Sequence, residues 1–206
     1  MAFDGWPAEA LAFYVGLEDD NSREYWTSRK AVYQEKVLRP MEALLEELAP
    51  EFGDPKIFRP YRDIRFSPDK TPYKTHIGAT LGGSCYVQLS ADGLSAGSGR
   101  WHLEPDQLTR YRAAVAGPDG AGLAAIVTAL TGAGVEVHGH GTLKSAPRGY
   151  RADHPRIALL RHKGLTTWQH WNPGPWLSSA EPARKIKDFL RTSADFCDWL
   201  TAHVGG

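Results

Sequence analysis

The sequence predicts an α+β fold: one domain spanning residues 1–206, with an antiparallel, curved sheet flanked by N- and C-terminal helices. Three observations predict it. The two ends of the chain read as helix and the middle as strand, so the element types segregate rather than alternate. The dipeptides Gly82-Gly83 and Asp92-Gly93 separate short strand-like runs, which is the pattern of antiparallel hairpins. The 206 residues are 42% hydrophobic and 23% charged, enough apolar side chain for a sizeable core, and no low-complexity linker divides them.

The elements follow in order. Pro7 suits a first helical position, with Ala8, Leu11, Ala12 and Val15 behind it at helical spacing. Asn21 with Glu24 three residues later forms a capping-box pattern. From there Trp26, Tyr33, Val37, Leu44 and Leu48 mark one apolar face, Glu42, Glu46 and Glu47 lie on the polar side, and Pro40 splits or kinks the helix. Strands are expected at 56–61, 75–81, 85–90 and 94–99. Pro105 and Pro118 open two further helices. Strands at 135–138 and 165–171 bracket a short helix at 157–161. A last amphipathic helix begins near Pro182 and carries Ile186, Phe189, Leu190, Phe196, Trp199 and Leu200.

Composition excludes several classes. The formal net charge is zero, so the surface is not uniformly basic or acidic. The two cysteines, Cys85 and Cys197, stand far apart and no CxxC occurs, which argues against a thiol redox centre or a cysteine-rich zinc site. The N-terminus has no basic, apolar leader pattern, and no apolar run approaches the roughly 20 residues of a membrane span. The expectation is a cytoplasmic protein with no membrane partner.

The zero charge is a cancellation. Residues 1–54 hold 5 basic and 12 acidic residues, residues 55–143 hold 9 and 7, and residues 144–206 hold 10 and 5. The basic residues concentrate in two places. One is the segment 59–74, with Arg59, Arg62, Arg65, Lys70 and Lys74 against Asp63 and Asp69. Pro60, Pro68 and Pro72 forbid a continuous helix there, so an extended strand leading into an ordered loop is expected. Guanidinium forks and ammonium groups on a stiff loop suit a carboxylate or phosphate. Asp63 and Asp69 would orient the cations or act in acid/base chemistry, and Tyr73 would donate a phenolic hydrogen bond. A purely structural reading of the same residues is an ion-pair knot in which Tyr61, Phe66 and Tyr73 pack.

The pattern Arg59-x-x-Arg62-Asp63-x-Arg65-Phe66, followed by Asp69-Lys70 and Tyr73, resembles the DUF2461 family. The resemblance runs through most of the chain. Asn21 to Trp26 with Tyr33 and Pro40 looks like the family's front helix, Gly97 to Trp101 like its glycine turn, and Pro147 to Lys163 like its C-terminal block. Tyr25-Trp26 stands where the family has tryptophan then phenylalanine, a departure affecting packing only. The family is a domain of unknown function, so the resemblance implies a fold and a site and adds no reaction.

The second basic block is 148–163. Arg148, Tyr150, Arg161 and Lys163 would form another wall of the anion pocket. His154, placed before the short helix with Asp153 as its Asx-type cap, is the titratable candidate for acid/base work. Gly97-Ser98-Gly99 fits a glycine-bearing bulge better than a phosphate nest, since it matches neither GxGxxG nor a P-loop. His138-Gly139-His140 places two imidazoles on one strand face without the further ligands a metal needs, so no metal and no cofactor is expected. The reading is a confined cationic pocket for a small anionic molecule bearing phosphate or carboxylate. If there is turnover, phosphoester or nucleotide chemistry would use the cations to stabilise developing charge. The alternatives are a non-catalytic module for nucleic acid or a phosphorylated partner, and an interaction protein whose arginines are a buried ion-pair network.

Overall fold

A computed structural model describes residues 2–65 and 68–205. The strands are β1 (Pro55–Ile57), β2 (His76–Leu81), β3 (Cys85–Ser90), β4 (Gly93–Arg100), β5 (Glu136–His140) and β6 (Gly164–Trp171). They form one six-stranded sheet in the order β1-β2-β3-β4-β6-β5, and the pairs β1–β2, β2–β3 and β5–β6 are antiparallel. The helices are α1 (Ala8–Asp19), α2 (Arg23–Val32), α3 (Arg39–Phe52), α4 (Pro105–Ala116), α5 (Gly120–Gly132), α6 (Ile157–Leu160), α7 (Glu181–Thr192) and α8 (Ala194–Val204). This is the α+β arrangement the sequence predicts. Among the described residues no single helix is long and apolar enough to cross a membrane. The chain divides into two compact units, 1–96 with 170–188 and 97–169 with 189–206.

In the first unit, α3 packs on β2 and α1 on β3. Leu44, Leu48, Ile77, Leu81, Val87 and Leu89 are buried in its core. Trp26, Tyr33 and Val37 are buried too, while Glu42, Glu46 and Glu47 are exposed, so the apolar face read from the sequence is the buried one. The cap of α2 is a correction. The hydroxyl of Ser22, not the Asn21 side chain, accepts from the Tyr25 amide at 3.0 Å, because the Asn21 amide is engaged elsewhere. The split expected at Pro40 takes the form of a π-helical turn, Tyr33–Leu38, with Pro40 at the second residue of α3. Proline has no N–H to continue the α ladder, and a wider turn at that point accommodates the loss. In the same turn the Val37 carbonyl accepts the Trp6 indole N–H at 3.3 Å. Close packing here uses glycine. A Cβ on Gly16 would meet the Tyr25 hydroxyl oxygen at 2.3 Å, and one on Gly78 would meet that of Tyr86 at 2.5 Å.

In the second unit, α4, α5 and α8 pack on one another and α5 packs on β5. Tyr111, Val115, Leu123, Phe196 and Leu200 are buried. The single C-terminal helix expected from the sequence is two helices. Ser193, fully buried, separates α7 from α8, and Thr192-Ser193 is a pair of weak helix formers. The glycines of Gly97-Ser98-Gly99 lie within β4. A Cβ at Gly97 would meet the Trp168 ring at 2.6 Å, and one at Gly139 would meet the His162 ring at 2.0 Å. The turn before α6 is built by His154 rather than by Asp153. The His154 Nδ1 accepts from the Arg156 amide at 3.0 Å, whereas Asp153 pairs with Arg151.

Arg156 closes α4. Its Nε donates to the Val115 carbonyl at 2.6 Å, and one terminal nitrogen donates to Ala116 and Gly117 carbonyls at 3.1 and 2.9 Å. Three carbonyls at one helix end are thereby satisfied by one charged fork. Arg156→Ala should lower stability in urea denaturation by about 1.5–3 kcal/mol, the range for hydrogen bonds to a charged group, and Arg156→Lys should not restore it because an ammonium cannot reproduce the fork. Full stability of the lysine variant would show that charge alone suffices.

Candidate functional site

The segment 59–74 folds back on itself. Tyr61 and Tyr73 form an antiparallel bridge, flanked by the Arg62 amide donating to the Pro72 carbonyl at 2.9 Å and the Lys74 amide donating to the Pro60 carbonyl at 2.8 Å. Asn21 braces the far side of this bridge. Its Nδ2 donates to the Tyr73 carbonyl at 3.2 Å, and its Oδ1 accepts from the Tyr73 amide at 3.0 Å. The Tyr73 ring is 5% exposed and stacks on Trp26 with centroids 4.4 Å apart and planes 7° from parallel. The closure at 61 and 73 is thus fixed by backbone, side-chain amide and aromatic contact together.

Within the closed loop each carboxylate holds a cation. Asp63 receives Arg65 as a fork, at 3.0 Å from Nε and 2.7 Å from Nη2, and also the Arg65 amide at 3.2 Å. Asp69 accepts from the Thr71 amide and hydroxyl at 2.9 and 2.8 Å and pairs with the Arg62 guanidinium, which also contacts the Thr71 hydroxyl. Lys70 donates to the Ile64 carbonyl at 3.0 Å. These pairs are solvent-facing, the Arg65 side chain being 77% exposed. Phe66, part of the arginine pattern, lies outside the described residues. The hydrogen bond from the Thr71 amide, with Arg62 beside it, holds the Asp69 carboxyl down to about 2. The Arg65 fork likewise lowers Asp63.

A second cationic feature sits at the base of the loop. Arg59 lies between two inter-strand hydrogen bonds, Phe58 amide to Gly78 carbonyl at 2.9 Å and Lys74 amide to Pro60 carbonyl at 2.8 Å. Lys74 extends over the Phe58 ring at 5.3 Å. Burial pushes the Lys74 ammonium below its ordinary value, and the nearby positive charge of Arg59 adds to the shift. His76, the first residue of β2, is lowered by burial and then by Lys74. Sequence reasoning missed His76, although the alternation Lys74-Thr75-His76 already places it on the lysine's face of an extended chain.

The 148–163 block belongs to the second unit, whereas 59–74 belongs to the first. An open depression there is lined by Gly149, Tyr150, Arg151, Asp153, His154 and Pro155. Arg151 forks onto Asp153 at 2.9 and 2.7 Å. His154 faces the Arg156 amide with Nδ1, which leaves Nε2 as the ring nitrogen carrying the proton in the neutral form. Tyr150 is half-buried and Arg148 exposed. Arg161 is partly buried, with its Nε enclosed and unpartnered among the described residues, and its carbonyl accepts from the Leu143 amide at 2.9 Å. Lys163 is exposed and its amide donates to the His140 carbonyl at 2.8 Å. Tyr150 and His154 therefore meet at one depression, while Arg161 and Lys163 lie beyond α6 on the approach to β6.

Comparison with known proteins fits this chemistry to no established reaction. A protein-family model described as "Conserved hypothetical protein (DUF2461)" matches residues 9–199. A comparison with curated proteins finds no match. Among solved structures, a conserved hypothetical protein from Pyrococcus furiosus is similar over 82% of this chain and 98% of its own, at 11% identity and a TM-score of 0.40.

Two outcomes are expected of the loop. Asn21→Ala leaves both Tyr73 backbone groups without their partner and should cost about 1–3 kcal/mol in denaturant unfolding. A loss near zero would mean that water replaces the brace. The Asp69 carboxyl is held below its ordinary 3.8, at about 2, so its stabilising contribution is complete above pH about 4 and is lost as pH falls toward about 2. The Thr71 amide resonance should shift across that window in the wild type and stay flat in Asp69→Asn. A shift centred near pH 4 in the wild type would show that the carboxylate is not held in the folded loop.

Proposed function

The chain belongs to the DUF2461 family, whose description names no reaction, and we propose from its own chemistry that it binds a small phosphate- or carboxylate-bearing molecule at a cationic site centred on Arg59 and Lys74. One observation carries this reading. Arg59, Lys74 and His76 bring positive or protonatable groups together at the base of a braced loop, where burial first, and the neighbouring positive charge after it, disfavours the charged forms of Lys74 and His76. A folded protein holds like charges together at a cost that a bound anion removes.

Arg62, Arg65 and Lys70 lie on the loop between Arg59 and Lys74, each engaged by a group of the loop itself. Asp63 and Asp69 orient Arg65 and Arg62, which supports their reading as positioning groups rather than acid/base groups. Tyr73, stacked and almost fully buried, serves the site as a brace. In the second unit Tyr150 and His154 share a depression, where the His154 Nε2–H would be the proton donor should a phosphoester be turned over, while Arg148, Arg161 and Lys163 are further cations of the same block outside its lining. The reading invokes no metal or cofactor, and it places the protein in the cytoplasm, where phosphorylated metabolites are abundant.

Thermal unfolding with and without inorganic phosphate tests it. In the wild type phosphate should raise the melting temperature. In Arg59→Ala/Lys74→Ala the shift should vanish, with phosphate affinity down roughly tenfold or more. The ligand-free variant should melt at the same temperature or higher, because a repulsion has been removed. An undiminished phosphate shift in the variant, or a ligand-free melting point several degrees lower, would overturn the assignment. In the wild type His76 is held below its ordinary value. Its contribution to stability is therefore present above pH about 6.5 and declines as pH falls through that value, and phosphate binding should reverse the decline with uptake of a proton.

A further inference from the structure

Trp101 stands apart from the other tryptophans. Its side chain is 73% exposed, whereas the remaining six are buried or partly buried. A single exposed hydrophobic side chain is ordinary on a protein surface, and what sets this one apart is the partner it stacks on. The ring is not loose. Its centroid lies 3.8 Å from that of His140, at 32° between planes. His140 is itself fixed, its Nε2 lying 2.8 Å from the Thr166 hydroxyl. Burial, with His138 adding to it, lowers the His140 imidazole, so near neutral pH it is a flat uncharged partner rather than a cation. The indole therefore has one face partly covered and the other open.

The backbone beneath is held by two hydrogen bonds. The Leu103 amide donates to the Lys163 carbonyl at 2.9 Å, and the Lys163 amide donates to the His140 carbonyl at 2.8 Å. Lys163 thus sits between the Trp101 segment and β5, and its stem lies against Gly141. Gly164 allows the approach, since a Cβ there would meet the Trp101 carbonyl oxygen at 2.1 Å. The charged residues along these segments are of both signs. Lys163 is exposed, as is Glu104 three residues after the indole, while Arg100 donates to the Gly205 carbonyl and Glu136 on β5 is engaged by His138 at 2.7 Å.

We propose that Trp101 and His140 form a stacking platform for the base of a nucleotide, with Lys163 meeting its phosphate. An aromatic face selects a planar ring through stacking, and every nucleobase offers one. The Lys163 ammonium favours a ligand that carries an anionic group beside its planar ring. A nucleoside monophosphate is the smallest ligand having both features. The inference rests on the anion-binding reading only through Lys163, and uses none of residues 59–74.

The test titrates the protein with AMP, adenosine and inorganic phosphate separately, reading tryptophan emission and calorimetry. AMP should quench the emission of the exposed indole. Trp101→Ala, which removes a mostly exposed side chain and should melt normally, should weaken AMP roughly tenfold or more. It should leave phosphate binding unchanged. Lys163→Ala should bring AMP down to the affinity of adenosine without altering adenosine itself. Unchanged AMP affinity in Trp101→Ala overturns the platform, as does AMP binding that leaves the tryptophan emission of the wild type unchanged. Loss of phosphate binding in Arg59→Ala/Lys74→Ala bears on the other site alone, so the two readings fail separately.

Discussion

Asn21 does at Tyr73 what a neighbouring strand does elsewhere in the sheet. Its side-chain amide presents one donor and one acceptor to the main chain of Tyr73, in the same sense as a peptide group on an adjacent strand. Trp26, one turn into the helix that follows, stacks on the Tyr73 ring. The two contacts tie the start of α2 to the end of the arginine loop, some 50 residues away in sequence. Everything the loop offers follows from that closure. Arg62 and Lys74 flank it through the bridge, Asp69 and Thr71 fold inside it, and Arg59 is brought to the lysine side of its base.

Much of this architecture was legible in the residues. Gly82-Gly83 and Asp92-Gly93 mark turns that only a few backbone conformations satisfy, so the hairpins of β2, β3 and β4 followed directly. The buried stripe of α2 and α3 followed from spacing. What failed were choices between adjacent residues with similar chemistry. Asn21 and Ser22 can each cap a helix, and only the distant Tyr73 backbone decides that the asparagine is taken. Asp153 and His154 can each accept an amide, and Arg151 claims the aspartate. The break at Ser193 was obscured because the apolar periodicity runs through it.

The candidate site was half legible for a similar reason. A sequence shows how many charges share a segment, but not which ones neutralise each other. Asp63 and Asp69 claim Arg65 and Arg62 inside the loop, and Glu47 of the acidic front claims Lys187 from the C-terminal helix. Arg59 and Lys74, with His76 behind them, are instead set against each other, and that arrangement becomes visible only when the two strand segments are laid side by side. The net charge of zero is therefore a sum over local pairings that composition alone does not display.

The rings seated over glycines have a consequence for how such a chain can drift. Tyr25 lies on Gly16, Tyr86 on Gly78, Trp168 on Gly97 and His162 on Gly139, each closer than a methyl group would permit. Neither member of such a couple is free to mutate alone. Enlarging the glycine drives the ring out, and shrinking the ring opens a void above a bare backbone. In related sequences these positions should change in concert, a small residue growing only where its ring has already become smaller, so that a fossil of the packing is written into paired substitutions.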